Sequence, residues 1–252
     1  MRRFLSHLLG WTVLLLIVLV VIAFIGWSRV PDMLANNMSK KMHVTVSIGD
    51  IGLSWKEISI SNAEIGNVKG GILPKAFSAE QIYVNAPLSN YLDKEIVIDQ
   101  IAVNDIYLGL EFDSAKSTNG NWTTIMKNLK SSTAVKEKES SSGKIVFIRS
   151  LLLTNISVDV VYIKEGGKVQ KLPPIKSIEL KNISTEKGIP MDQLMNSVLG
   201  QMLQSVFIKQ NLQNMLQDII QNQSDIQKFL SPFKGFFNAN PTDPKIEIAI
   251  SE

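Results

Sequence analysis

Apolar and polar residues alternate in short runs over most of the chain, which is the period of a β-strand. One run begins at Ile96 and another at Val146, and each apolar position in the first run has a counterpart fifty residues later. In both runs one extra residue separates two alternating halves, as it does between Ile98 and Ile101. A regular strand would turn its other face to the core at that point. The chain must therefore bulge, bend or turn there to keep the same side buried.

The same spacing occurs in further runs that begin at Leu53, Phe77 and Pro173. An Asn closely follows the second apolar pair in every run: Asn62, Asn85, Asn104, Asn155 and Asn182. Because Asn tolerates left-handed backbone and makes Asx turns, we expect these residues to end short strands. The repeats predict a mainly β domain, a curved antiparallel sheet of short repeated strands that together form one apolar, groove-like surface.

Helical spacing replaces the strand period after Pro190. Apolar residues recur at every third or fourth position from 191 to 222, which predicts a long amphipathic C-terminal α-helix. A short helix is also predicted for Trp122–Leu129, and the polar, Ser-rich segment 131–143 is predicted to be a flexible loop. The last alternating run, Ile246-x-Ile248-x-Ile250, predicts a final strand.

An unbroken apolar run from Leu8 to Trp27 is long enough to cross the hydrocarbon core of a bilayer. It is longer than the core of a usual signal peptide and lacks a small-residue cleavage site, so we interpret it as an uncleaved anchor, with a cleaved signal peptide as the alternative. Arg2 and Arg3 favour a cytoplasmic amino terminus, which places residues 29–252 on the other side of the membrane.

These patterns divide the chain into four parts. Residues 1–28 form a transmembrane signal anchor, 29–190 the repeated-strand β domain, 191–230 an amphipathic helical segment, and 231–252 a tail with the final strand.

The composition argues against several classes of function. The net charge of +3 is mild, and the sequence does not suggest a nucleic-acid partner. The absence of cysteine removes thiol catalysis and Cys-ligated metals, and there are only two histidines, His7 and His43. The sequence contains no phosphate-binding, dinucleotide-binding, zinc-protease or nucleophile-elbow motif. We therefore expect no catalytic residue, no metal site and no cofactor, and a protein that is not an enzyme.

The apolar stripe of the repeats has two interpretations. It can be an ordinary core beneath helix 191–222, or a groove that is left partly uncovered and holds acyl chains. The second interpretation makes the paired apolar residues of the repeats the candidate lipid-binding residues: Ile58, Ile60, Ile82, Val84, Ile101, Val103, Leu151, Leu153, Ile178 and Leu180.

Three features together resemble the AsmA-like family of Gram-negative envelope proteins over about residues 1–185. They are the amino-terminal anchor, strands such as Ile58-Ser59-Ile60-Ser61-Asn62, and the element Asn119-Gly120-Asn121-Trp122 before a short helix. The resemblance implies a repeating β groove and an inner-membrane protein with a cytoplasmic amino terminus and a periplasmic main domain. It also implies that the partner is membrane phospholipid, and that the function is lipid handling or outer-membrane homeostasis.

The chain is shorter than a groove that bridges an envelope, and it ends in the predicted helix instead of further groove. This leaves a second hypothesis, a structural or assembly factor in which helix 191–222 docks on an envelope membrane protein.

Overall fold

A computed structural model gives the structure of the protein and describes residues 26–136, 143–181, 183–184, 187–212 and 215. The elements in this range are α1 (Val30–Met42), β1 (Val46–Ser47), β2 (Asp50–Leu53), β3 (Glu57–Gly66), β4 (Lys75–Asn85), β5 (Glu95–Phe112), α2 (Asn121–Lys136), β6 (Ile145–Tyr162), β7 (Val169–Lys171), β8 (Ile175–Lys181), β9 (Ile189–Pro190) and α3 (Leu194–Lys209). Short 3-10 helices cover Leu88–Leu92, Ile163–Glu165 and Met191–Gln193.

The described strands form one nine-stranded sheet in the order β1–β3–β4–β5–β6–β7. In addition, β2 pairs with β3, and both β8 and β9 pair with β6. Every pairing is antiparallel except that of β5 with β6. The prediction of a mainly β, mostly antiparallel fold is confirmed.

The parallel pairing of β5 with β6 is the one exception among these pairings, and the sequence analysis did not predict it. The two strands lie side by side in a register of fifty residues, with Ile96 opposite Val146 and Phe112 opposite Tyr162. Parallel neighbours need a crossover connection of a dozen or more residues. The segment between Phe112 and Ile145, which contains α2, supplies that connection.

The prediction that the repeated strands are short is wrong for β5 and β6, which contain 18 residues each. Both strands continue past the Asn residues that were expected to end them. Asn155 lies in the middle of β6, and Asn104 lies in the middle of β5. Asn85, in contrast, is the last residue of β4, and Asn182 lies outside the described residues.

The C-terminal helix is shorter than predicted. Within the predicted range of 191–222, a 3-10 turn leads into α3, which has 16 residues and ends at Lys209. Asn211 adopts a left-handed conformation with φ 57° directly after the helix, which stops the helical hydrogen-bonding pattern. The chain continues through Leu212 and Met215, beyond which the residues are not described.

Two further predictions concern the helices. The helix predicted for Trp122–Leu129 is confirmed as part of α2, which is longer. Because α2 extends to Lys136, it takes up the first part of segment 131–143, and the prediction of a loop is wrong there. Residues 137–142 of that segment lie outside the described range.

The three helices share one hydrophobic core with the sheet. Met42 of α1, Trp122 of α2 and Phe207 of α3 belong to the same buried cluster as the inward residues of the strands. On α2 the buried side is formed by Trp122, Ile125, Met126 and Leu129. This spacing of three and four residues places one helical face against the sheet. The fold is thus a single sheet with helices packed on its apolar side.

The predicted membrane anchor, residues 1–28, falls almost wholly on residues 1–25, which lie outside the described range, as does the predicted strand at 246–250. Among the helices of the described residues, none combines the length and the apolar character that a membrane crossing requires.

Candidate functional site

The candidate lipid-binding residues line up as two rows across five strands, β3, β4, β5, β6 and β8. Each residue is the direct register partner of the next, so the side chains of a row lie on one face of the sheet. We call these the apolar rows. The first row is Ile58, Val84, Ile101, Leu151 and Leu180, and the second is Ile60, Ile82, Val103, Leu153 and Ile178.

The apolar rows extend by one more strand at the amino-terminal edge. Leu53 of β2 lies opposite Ile58, and Ile51 lies opposite Ile60. Residues between the row members point to the other face, where Ser59 lies opposite Tyr83. Sequence analysis identified the members of the rows, and the structure shows that they form one continuous surface.

Burial changes steadily along the apolar rows. Leu153 on β6 is fully buried at 0% exposure, and Val103 on β5 is 6% exposed. On β3 and β4 the members are half-buried, and Leu53 on β2 is 48% exposed. Ile178 and Leu180, at the opposite edge on β8, are also half-buried. The middle of the rows is therefore core, and both ends are partly open, on β2, β3 and β4 at one edge and on β8 at the other.

Helix α3 packs against the part of the sheet around β6. It contacts both β8 and β9, the strands that pair with β6. The Phe207 ring meets the ring of Phe112 edge-on at a centroid distance of 6.0 Å. The Gln201 Nε2 group donates to the carbonyl oxygen of Ile183 at 3.1 Å, which fixes the helix to the chain just after β8. The stripe is therefore core on β6 and partly uncovered surface on β2 to β4.

A row of irregular residues crosses the same five strands next to the apolar rows. Asn62, Glu80, Asp105, Asn155 and Lys176 occupy corresponding positions, and the regular ladder is interrupted at each of them. We call this the kink row. Three of its members have left-handed backbone: Asn62 with φ 50°, Asp105 with φ 55° and Asn155 with φ 51°. Non-glycine residues in this region are mostly Asn and Asp, because their side chains can bond locally.

The kink row explains how long strands keep one apolar face. In β5, Val103 and Ile106 are three positions apart, so a regular strand would point them to opposite faces. Both are nevertheless buried, because the left-handed Asp105 lies between them. The Asn155 Nδ2 group donates to Asp105 Oδ1 at 2.9 Å, so the two kinks are linked across the parallel pair. The bend predicted from the extra residues is therefore present, but inside the strands instead of at their ends.

A second interruption lies at the extra residue between Ile98 and Ile101. The ladder skips Asp99 and Arg149, whose side chains form an exposed ion pair across the two strands. Exposed pairs of this kind contribute about 0–1 kcal/mol. Their position outside the core is what keeps the apolar residues on either side of them buried.

The Gly-Asn-Trp element has a structural role at the far end of β5. The Asn121 Oδ1 atom accepts from the backbone N–H groups of Glu111 and Trp122 at 3.1 and 2.8 Å. Its Nδ2 group donates to the Gly109 carbonyl at 3.0 Å, and the Trp122 indole donates to the same oxygen at 3.0 Å. This buried side chain joins the start of α2 to the end of β5.

Gly120 allows this connection, since a Cβ atom there would lie 2.0 Å from the Glu111 carbonyl oxygen. The carboxylate of Glu111, which is itself buried, accepts hydrogen bonds from Asn67 Nδ2 and from the backbone N–H groups of Ile72 and Leu73. In the sequence the Gly-Asn-Trp element indicated only the family. Its structural role depends on contacts between Asn121 and distant residues such as Gly109 and Glu111, which the sequence does not reveal.

Ionisable groups with shifted pKa values lie away from the apolar rows. Burial, followed by the negative charge of Asp159, raises the pKa of Tyr107 to about 12. The Tyr107 hydroxyl lies 3.3 Å from Asp159 Oδ2. In the described part of the chain, no three His, Asp or Glu side chains are grouped so that they could hold a metal ion.

The comparisons with known proteins agree with the geometry at the level of the family. No curated protein and no solved structure matches the chain. The model of the AsmA family matches residues 1–193, which is well over half of the chain. The chain therefore belongs to the AsmA family.

Proposed function

We propose that this envelope-associated protein handles phospholipid without catalysing a reaction, and that it holds acyl chains against the open side of the apolar rows. The observation that carries the proposal is the gradient of burial across the rows, from fully covered on β6 to partly open on β2, β3 and β4. A core that served stability alone gains nothing from leaving Ile58, Ile60, Ile82 and Val84 half-buried. Membership of the AsmA family supports association with the envelope.

The size of the open surface sets the strength of binding. Complete burial of an Ile or Val side chain contributes about 1.5–3 kcal/mol, so a half-buried one gains about 1 kcal/mol when an acyl chain covers it. The half-buried row members on β3 and β4 together supply about 4 kcal/mol. The acyl chains of a lipid that leaves a bilayer for the protein exchange one apolar environment for another. The newly covered surface of the protein therefore supplies nearly all of the net binding free energy.

The location follows the same proposal. The predicted anchor at residues 1–28 supports a location in the inner membrane, with the amino terminus in the cytoplasm and the β domain in the periplasm. The proposed partner is membrane phospholipid, and neither nucleic acid nor a cofactor takes part.

A photoreactive amino acid placed in the native chain tests the proposal in cells. At Ile82, which belongs to the second apolar row, we expect adducts with phospholipid. Tyr83 is the matched control, because it is the next residue of β4, is also half-buried and faces the other side of the sheet. Equal lipid labelling at both positions, or none at Ile82, would contradict the proposal.

The assembly hypothesis has one observation in its favour. Met195 and Ile208 of α3 are 43% and 41% exposed, although the helix is otherwise apolar and largely buried. They could contact an envelope protein. The same photoreactive group at Met195 discriminates the two functions: one dominant protein adduct favours the assembly factor, and lipid adducts confined to Ile82 favour lipid handling.

A further inference from the structure

Two neighbouring loops expose bulky apolar side chains at one end of the sheet. Trp55 lies in the turn between β2 and β3 and is 84% exposed, and Leu92 ends the 3-10 helix after β4 and is 85% exposed. Leu53, the last residue of β2, precedes Trp55 by two residues and is half exposed. We call these three residues the apolar tip. The apolar rows begin at this end, since Leu53 is the β2 partner of Ile58.

Hydrogen bonds hold the loops of the apolar tip in place. The Leu88 N–H group donates to the Trp55 carbonyl at 3.0 Å, and the Ala86 N–H group donates to the Lys56 carbonyl at 3.0 Å. The Asn90 Nδ2 group donates to the Val97 carbonyl at 3.0 Å. Because the loops are fixed to each other and to β5, Trp55 and Leu92 are presented to the outside and do not fold back onto the core.

Trp27 lies on β2, the strand that leads to this end of the sheet. The indole of Trp27, the last residue of the amino-terminal apolar run, donates to the Ile51 carbonyl of β2 at 3.0 Å. From there α1 leads away from the apolar tip, because the chain after it pairs Val46 with Ile65, at the other end of β3. Four residues separate Ile51 from Trp55, a span of at most about 14 Å.

Charge does not single out an acidic or basic partner for the apolar tip. Lys56 and Lys94 are accompanied by Glu57, Asp93 and Glu95 in the same loops. Contact through this surface would therefore be driven by Trp and Leu side chains, and indole rings prefer the interface of a bilayer. The adjacent Trp27 ends a run of the length that crosses that bilayer.

We infer that the apolar tip inserts into the interface of the membrane from which the amino-terminal anchor emerges, with zwitterionic lipid sufficient for the contact. The docked tip holds the open ends of the apolar rows at the bilayer surface. This contact is independent of what the rows themselves bind.

The full-length chain is suited to a test because it contains no cysteine. We would prepare the variants Trp55→Cys and Leu92→Cys, attach a nitroxide to each, and reconstitute the protein in vesicles of phosphatidylcholine. The matched control is Val169→Cys, an exposed apolar residue on β7, which pairs with the distal end of β6. Collision rates with oxygen and with a water-soluble nickel chelate report the depth of each label. Because all three side chains are exposed, the circular dichroism spectra should match that of the native chain.

We expect the labels at 55 and 92 to collide with oxygen and to be shielded from nickel, while the label at 169 behaves as in water. Raising the salt concentration should leave this difference unchanged. Labels at 55 and 92 that are as open to nickel as the one at 169 would overturn the inference, and so would shielding that is lost in salt. The variant Ile60→Asp, which disturbs lipid on the rows, should leave the depth of the label at residue 55 unchanged. Failure of the membrane contact can therefore be distinguished from failure of the proposed function.

Discussion

Replacing Asn155 by Gly, Ala and Val separates the backbone conformation of the kink row from the side chain that occupies it. Asn155 is exposed and has φ 51°, so its substitution removes little buried surface. Left-handed backbone costs a residue with a Cβ atom about 1–2 kcal/mol, while Gly adopts it freely. The bond from Asn155 to Asp105 is exposed and adds about 0.5 kcal/mol. We expect losses of about 0.5 kcal/mol for Gly, about 1.5–2.5 for Ala and more for the β-branched Val.

Asn104 supplies the matched control, because it lies in β5 beside the kink and lacks a positive φ. At Asn104, Gly should destabilise the strand by about 0.5–1 kcal/mol relative to Ala, which is the opposite order. Urea unfolding of the detergent-solubilised protein measures both series. With a slope of about 2 kcal/mol per M, a change of 1 kcal/mol moves the midpoint by about 0.5 M. If Ala and Gly rank the same way at 155 and at 104, left-handed backbone is not what holds the kink row.

Three other perturbations test separate parts of the structure. Deletion of Gln100 should move the rest of β5 to the wrong face and leave no protease-resistant domain; a folded variant would refute the register. Asn121→Ala should lower stability by about 3 kcal/mol in urea unfolding, because buried N–H groups lose their acceptor. Asn128→Ala, which breaks one half-buried bond, should cost about 1 kcal/mol, and equal losses would contradict the role of Asn121 in joining α2 to β5. Tyr107 should ionise near pH 12 in ultraviolet titration. The raised pKa makes a contribution to the free energy of unfolding that is complete below about pH 10 and disappears as the pH rises towards 12. Asp159→Asn should lower the pKa of Tyr107. An unchanged pKa would exclude the contact between Tyr107 and Asp159.

The apolar rows were predictable from the sequence because strand alternation reports which side of a strand is buried. The fifty-residue spacing between Ile96 and Val146 is also the register of β5 with β6. Alternation is the same in parallel and antiparallel strands, however, so the pattern alone could not give the direction of pairing. The predicted helix at Trp122, between the two copies, was the available signal for a parallel crossover.

Local rules predicted the behaviour of Asn62 and Asn155 only in part. Their left-handed backbone was expected, and the structure has it. That the strands continue through these residues depends on the alignment of kinks in neighbouring strands, which no single run reveals. The early end of α3 left no trace in the apolar spacing, because Ile208 and Leu212 are four positions apart, which is helical spacing.

The degree of burial along the rows could not be predicted, since it depends on where the helices pack on the sheet. Leu153 and Val103 were expected to share one environment with Ile60, yet the first two are buried and Ile60 is half open. Substitution of the buried members would unfold the protein instead of testing lipid binding. The open members on β3 and β4 are the informative ones.

The central claim is tested most directly by the lipid that co-purifies with the full-length protein, measured by mass spectrometry for the native chain, Ile60→Asp and Ser59→Asp. A carboxylate among acyl chains costs about 3 kcal/mol, or about a hundredfold in binding. Ser59 is the preceding residue on β3 and faces the other side of the sheet, so its variant carries the same charge away from the rows. We predict bound phospholipid on the native chain and on Ser59→Asp, and its loss from Ile60→Asp. Equal lipid on all three, or none on the native chain, would contradict the account.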